Sequence, residues 1–432
     1  MTSRTAFINA RLIDPATGRD EMGALLVDNG RIADLGSRLF SDGMPAGATV
    51  IDCNGAVLAP GLVDLRVFTG EPGAEHRETL ASAGESAAAG GVTSFAMMPV
   101  TDPVIDDAAL VDFIMRRAAA TSKVNILPTA ALTHGLKGAQ MSEMGLLKKA
   151  GAVAFTDADR TVASSLIMRR CLTYAANFDA LVIAHAEDPA LASVGHMNEG
   201  SLAARMGVGG IPTAAEAMIV ERDLRLVELT GARYHLGQIS CAASLDIISN
   251  AKSRGLPVTC GVSAHHLALN ENDVGEYKTF AKVSPALRSE DDRKAMVEGV
   301  RSGLIDVIVS SHDPQAAETK RVPFAQAAYG AVGLETLLPV ALSLHHEAGM
   351  SLMEVLKRLT INPARVLRLE AGRLAKGAPA DLILFDPGAP QRIDPATFRS
   401  RSKNSPFKGR LLQGQVLRTI VAGKTVFEAK SK

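Results

Sequence analysis

A chain of 432 residues is long enough for one large α/β domain with a smaller domain beside it. Lys plus Arg and Asp plus Glu both number 46, so no charge bias draws the chain to nucleic acid or to an anionic membrane. Aromatic residues make up 4% and Trp is absent, which argues against a stacking platform for single-stranded nucleic acid.

The first ten residues lack an apolar core of signal-peptide length, and no apolar run approaches the ~20 residues that span a bilayer. Cys53, Cys171, Cys241 and Cys260 stand far apart without a CxxC pair. They read as reduced, buried thiols of a cytoplasmic protein with no membrane association.

Along the chain, residues 7–13 and 23–29 read as short strands separated by the turn Asp14-Pro15-Ala16-Thr17-Gly18, and 30–32 and 48–52 continue the rhythm. From Gly61 the texture changes to apolar runs alternating with Ala-rich helical stretches. Strands are predicted at 62–68, 93–98, 125–129, 152–156, 181–185, 234–240, 257–262 and 305–311, with helices such as 79–89, 108–120 and 164–176 between them. That alternation predicts parallel strands with crossover helices, and about eight units predict a (β/α)8 barrel. After a helix at 352–359, short strands return at 381–385, 409–413 and 416–421, with turns at Asp386-Pro387-Gly388 and Ala422-Gly423-Lys424. The expected organisation is a barrel over 59–367 and a small composite β-sandwich from 1–58 plus 368–432.

The segments that carry chemistry resemble one family. Ala59-Pro60-Gly61-Leu62-Val63-Asp64 and Glu71-Pro72-Gly73 frame the first barrel strand as in cyclic amidohydrolases. Ala89-Gly90-Gly91-Val92-Thr93, Met98-Pro99, Asp102-Pro103-Val104-Ile105-Asp106, Gly333-Leu334-Glu335-Thr336, Asn362-Pro363-Ala364-Arg365 and Gly377-Ala378-Pro379-Ala380-Asp381 resemble dihydroorotases in particular, as does the stretch 402–409. The resemblance spans essentially the whole chain. It implies a TIM barrel with a flanking β-sandwich, reversible cyclisation of N-carbamoyl-aspartate to dihydroorotate, and zinc at the C-terminal mouth of the barrel.

Zinc lowers the pKa of a bound water and needs about three protein ligands to stay bound. Carried over by resemblance, the His-x-His ligands fall on Arg66 and Phe68, the next aspartate on Ala158, a histidine on His185, the following histidine on Gln238, and the aspartate that is also acid/base on Ser311. Phe has no lone pair to donate and Arg brings a fixed positive charge. Ser311 cannot run a proton shuttle that depends on a carboxylate pKa. No Lys occurs in 152–160 to be carbamylated, as in hydantoinases and allantoinases, and only His185 survives. The family's substrate contacts fail in parallel: the arginine falls on Gly70, the asparagines on Val100 and Ser284, and the last polar contact on Gln315.

Structural roles account for His185 and its neighbours as well. His185 reads as a hydrogen-bonded core histidine. Asp157 and Asp159 read as loop caps or as partners of Arg160 or Arg66, and a nearby carboxylate would turn Arg66 into a structural salt bridge in the metal's place. His265-His266 with His312 and Asp313 is the weaker case for a new metal site. The leading expectation is a non-catalytic subunit without cofactor, in a hetero-oligomer with aspartate transcarbamoylase, the preceding enzyme of pyrimidine synthesis; degenerate bacterial dihydroorotase-like proteins resemble such partners. One alternative is an active amidohydrolase with zinc on a rearranged set of His185, Asp157 and His312. Another is a metabolite sensor with an empty barrel pocket for a pyrimidine precursor.

Overall fold

The structure, a computed structural model, describes residues 4–41 and 43–430; residues 1–3, 42, 431 and 432 of the expected β-rich domain lie outside them. Barrel strands run over Leu62–Val67, Val92–Met97, Asn125–Pro128, Leu181–His185, Arg233–Gln238, Val258–Ser263 and Val307–Val309. The strand expected at 152–156 shrinks to one residue, Phe155, which bridges Ala130 on one side and Val182 on the other. Parallel pairing of Gly261 with Val307 and of Val67 with His312 closes the ring. The (β/α)8 barrel read from the alternation is therefore present, and its strands carry continuous apolar runs because both faces are covered: Val92–Met97 is buried at every position.

Local signals set where the crossover helices begin. Thr79 caps Leu80–Ala89 in a reciprocal capping box with Ser82, and the side chains of Asp107, Ser164 and Ser351 cap Ala108–Thr121, Ser165–Asn177 and Leu352–Leu359. Each cap satisfies a backbone N–H that the first helical turn leaves without a partner.

Both termini contribute to one eight-stranded sheet. Val57–Pro60 joins them, pairing parallel with Arg4–Asp14 and antiparallel with Leu382–Arg392 in the register Leu382 to Pro60. Phe7, Leu12, Leu25, Leu58, Leu382 and Ile420 fill its core. Two sequence expectations need correction here. The turn placed at Asp386-Pro387-Gly388 is an interruption inside the long strand Leu382–Arg392, where the register jumps between Asp386 and Pro390. Proline cannot donate to a ladder, so it sits where pairing lapses, and the chain carries on extended. Likewise 409–413 and 416–421 are not two strands but one, Leu411–Val421, with Gly414 at φ 107° inside it. It turns back through Gly423 into Lys424–Glu428, a strand the sequence reading missed.

The first helix meets the loop after the eighth strand at Gly90. A Cβ there would lie 2.1 Å from the carbonyl oxygen of Leu334, although the backbone is otherwise open to any residue at φ −86°. Gly90→Ala is expected to cost about 3 kcal/mol through overpacking against a fixed backbone atom. Urea unfolding would measure it, and a midpoint equal to that of the parent would refute the packing argument.

Candidate functional site

The C-terminal ends of the strands form the barrel mouth, and the seam between the first and eighth strands is its best-defined part. Asp64, fully buried in the first strand, accepts hydrogen bonds from the backbone of Ser310 (3.2 Å) and Arg66 (3.1 Å). Phe68 N donates to the His312 carbonyl at 2.9 Å. These bonds aim the Arg66 side chain into the mouth, where its Nη1 reaches the Oγ of Ser311 at 3.3 Å. Gln238 Nε2 donates to the same oxygen at 2.7 Å. One serine hydroxyl thus accepts from two side chains that occupy family metal positions.

Phe68 is buried and carries the Arg77 guanidinium 4.0 Å above its ring, a cation–π contact. Arg77 in turn pairs with Asp313 at 2.8 Å. Ala158 is buried with φ 59°, and Ser311 has φ 51°. The His185 Nε2 is buried without a hydrogen-bond partner and lies 3.7 Å from Glu187 Oε1. Burial works to raise the Glu187 carboxyl, but the neighbouring His185 imidazole outweighs it and holds the group below its usual range. Gln238 Oε1 is also buried without a partner.

Space at these positions is small. Arg66, Met98, Ala158, His185 and Gln238 line a cavity of about 10 Å³. A single water needs roughly 10–15 Å³, so the side chains leave no room for a pyrimidine precursor there. The empty barrel pocket expected for a sensor is not found at these positions.

Among the described residues, no group of three or more His, Cys, Asp or Glu side chains is arranged to hold a metal ion. The donor set itself is the stronger argument. A guanidinium, a phenyl ring, a methyl group, an amide and a hydroxyl stand with one imidazole where zinc requires about three anionic or imidazole ligands. The residues present do not fit the metal that the family resemblance implies.

The rearranged set is not brought together either. The Asp157 carboxylate turns away to accept from Thr133 N (2.9 Å) and Thr133 Oγ1 (2.5 Å), and burial raises its pKa. His312 Nε2 lies 3.4 Å from Glu78 Oε2, while its Nδ1 accepts from the backbone of Gly333 and Leu334. The carboxylate partner expected for Arg66 is absent among the described residues, and Asp157 makes no ion pair with Arg66 or Arg160; its contact with Arg160 is through the backbone. Asp159 is exposed. His266 bonds Ser263 and Ala286, and His265 stacks on Phe407 with ring centroids 5.6 Å apart, so the pair does not converge with His312 and Asp313. Burial lowers both imidazoles, His265 to about 3 and His266 to about 4.

The substrate positions fare similarly. Gly70 adopts φ 71°, and a Cβ would stand 2.6 Å from the Ala74 carbonyl oxygen and 2.7 Å from that of Glu78. An arginine cannot occupy this backbone. Gln315 Nε2 donates to Asp313 at 2.9 Å, and half-buried Val100 and Ser284 follow the second and seventh strands.

Sequence reasoning missed two buried acids. Glu78, fully enclosed, accepts from Ser82 and Ser400 beside His312. Glu216 accepts from Ser240 N at 3.0 Å and Ser244 Oγ at 2.6 Å, next to fully buried Arg288, which bonds Ser240 Oγ at 3.0 Å. A glutamate at an otherwise apolar helical position, Glu216 in Ala214–Thr230, was the available signal.

Residues 55–244 match the family model described as Dihydro-orotase-like, and residues 307–427 match that of the Amidohydrolase family. The chain is 46% identical over 428 residues to a protein of Anaplasma phagocytophilum (strain HZ) named Dihydroorotase, covering 98% of this chain and 95% of that one. A protein of the same name from Ehrlichia canis (strain Jake) is 45% identical over 426 residues, again covering 98% and 95%. Among solved structures, the L-hydantoinase (dihydropyrimidinase) of Arthrobacter aurescens is similar with a TM-score of 0.88 and 26% identity, over 99% of this chain and 96% of that one. The dihydropyrimidinase of Brevibacillus agri NCHU1002 shares the fold at a TM-score of 0.85 and 20% identity, over 98% and 95%.

Asp64 makes the seam sensitive to pH. Burial pushes its carboxyl up to about 6, against about 3.9 in an unfolded chain. The folded protein therefore holds this proton more tightly, so the stability linked to it is full at low pH and lost as pH rises through about 6. Asp64→Asn keeps an acceptor without the charge. Relative to the parent, this variant is expected to gain stability between about pH 4 and pH 7. Parallel denaturation curves across that range would refute the assignment.

Proposed function

The chain belongs to the dihydroorotase family, and on that basis we propose that it serves de novo pyrimidine biosynthesis without catalysing the reaction. In this reading it is a structural subunit of a cytoplasmic hetero-oligomer, binding aspartate transcarbamoylase and holding it assembled. The observation that carries the non-catalytic part is the cluster of Arg66 and Gln238 on Ser311. A fixed cation and two neutral side chains stand where the reaction needs a divalent metal and a carboxylate base. Substrate recognition is weakened in parallel by Gly70, whose backbone leaves no space for a guanidinium clamp. The partner rests on family analogy, a separate warrant from the site chemistry.

A second reading has its own support. Relatives 41–46% identical across nearly the whole chain carry the name Dihydroorotase. Whole-chain identity follows scaffold as well as site, yet an active enzyme on a rearranged centre fits those names. It would require Asp157 and His312 to leave their present partners and join His185, breaking among others the two Thr133 bonds to Asp157.

Elemental analysis of tag-free protein, purified with and without added zinc, separates the two readings. Well under one zinc per chain in both preparations, with no turnover of N-carbamoyl-aspartate, is the outcome expected of a non-catalytic subunit. Tightly held zinc with turnover that a chelator abolishes would overturn it. Co-elution with the transcarbamoylase of the same organism tests the partner, and separate elution at micromolar concentration would sink that part alone.

A further inference from the structure

While the mouth is closed, a larger crevice opens beside it. A cavity of about 380 Å³ lies between the loop after the first strand, the segment after the eighth strand and the C-terminal stretch at 401–404. That volume falls within the range of small-molecule sites. Arg321, Arg401, Lys403 and His76 line it with buried Lys320, and Glu318 is the one carboxylate among the lining residues. In a chain whose charges balance at 46 of each sign, such a local excess of cations raises a positive potential that costs stability unless an anion offsets it.

The walls are fixed in place before any ligand arrives. Ser402 Oγ donates to the Arg77 carbonyl at 3.1 Å, Asn404 Oδ1 accepts from Gln315 N at 3.2 Å, and Asn404 Nδ2 donates to Gly330 O at 3.1 Å. Lys320 Nζ donates to the carbonyls of Thr279, Lys282 and Ala328, so the group is built into the floor with no salt-bridge partner among the described residues. Burial pushes this ammonium down to about 7. The guanidinium groups of Arg321 and Arg401 have no hydrogen bond or ion pair among the described residues. By contrast, Arg77, whose carbonyl accepts from Ser402, holds the carboxylate of Asp313. Two free forks on a rigid frame match the tetrahedral, multiply charged oxygens of a phosphate better than a single carboxylate.

We infer that this crevice binds a small phosphate-bearing anion, with Arg321 and Arg401 as its principal contacts. The inference does not rest on the non-catalytic reading, since Arg321 and Arg401 hold none of the family's metal or substrate positions.

Titration calorimetry of the intact protein with pyrophosphate, at ionic strength held constant with sodium chloride, tests it. Saturable one-to-one binding is expected, weakening about tenfold or more in the double variant R321Q/R401Q and unchanged in R169Q, an exposed arginine outside the crevice. Absence of saturable heat, or equal weakening in R169Q, overturns the site. Citrate serves as the competing polycarboxylate: weaker binding than pyrophosphate is expected, and equal or tighter binding overturns the phosphate assignment. All three substituted side chains are exposed, and matching thermal midpoints of the unliganded variants would confirm that lost binding is not lost folding.

Discussion

Closure of the barrel between its first and eighth strands is the constraint on which the site depends. The buried Asp64 carboxylate accepts from backbone N–H groups on both strands, and the Phe68 to His312 hydrogen bond continues the seam to the mouth. An unmet charge buried this deeply would cost several kcal/mol, so the acceptor is tolerated only because those N–H groups face it. The same two strands present Arg66, Phe68, Ser311 and His312. The side chains at the family's metal positions on these two strands are therefore oriented by a structural seam.

Two backbone features show what the scaffold retains. Ala158 and Ser311, both matched to family aspartates, sit in the left-handed region at φ 59° and 51°. Asp and Asn visit that region more readily than Ala, for which it costs roughly 1–2 kcal/mol. Alanine's strain at 158 is offset by its surroundings: Ala158 N donates to Thr156 Oγ1 at 2.9 Å, and the methyl is buried. The backbone thus keeps an arrangement that would suit a ligand while the side chain offers none. Beside Ala158, the Asp157 side chain is committed to Thr133.

Most of the fold was legible because its signals are local and repeated. Thr79, Asp107, Ser164 and Ser351 announce helix starts, and apolar runs of strand length announce strands covered on both faces. The errors fell where tertiary pairing overrides a local signal. Pro387 and Gly388 look like a turn, yet pairing with Val57–Pro60 and Leu411–Val421 on either side keeps that stretch in line. The identities of the mouth residues were legible, since each family position can be counted along the chain. Their interactions were not. A nearby carboxylate would make Arg66 a salt bridge, whereas its guanidinium meets the hydroxyl of Ser311, 245 residues away in the chain. Glu78 and Glu216 likewise escaped notice because a buried acid is identified by what surrounds it, and its partners come from distant segments: Ser400 for one, Ser240 and Ser244 for the other.

The changes at the mouth also depend on one another. Placing a histidine at 66 alone would remove the donor that shares Ser311 with Gln238 and still leave Phe68 under the Arg77 guanidinium. An arginine at 70 would need the 74–78 backbone to move, because the carbonyls of Ala74 and Glu78 occupy the space of its Cβ. That segment in turn carries Arg77, bound to Asp313 and to the carbonyl of Pro314, and Glu78, bound to Ser400. Restoring the clamp therefore disturbs the ion pair that orders the loop after the eighth strand. Residues coupled through shared partners change stability non-additively, so a substitution at 66, 70 or 77 is felt at the others. The mouth is a self-consistent polar and aromatic cluster in which Ser311, Arg77 and Asp313 each serve more than one neighbour.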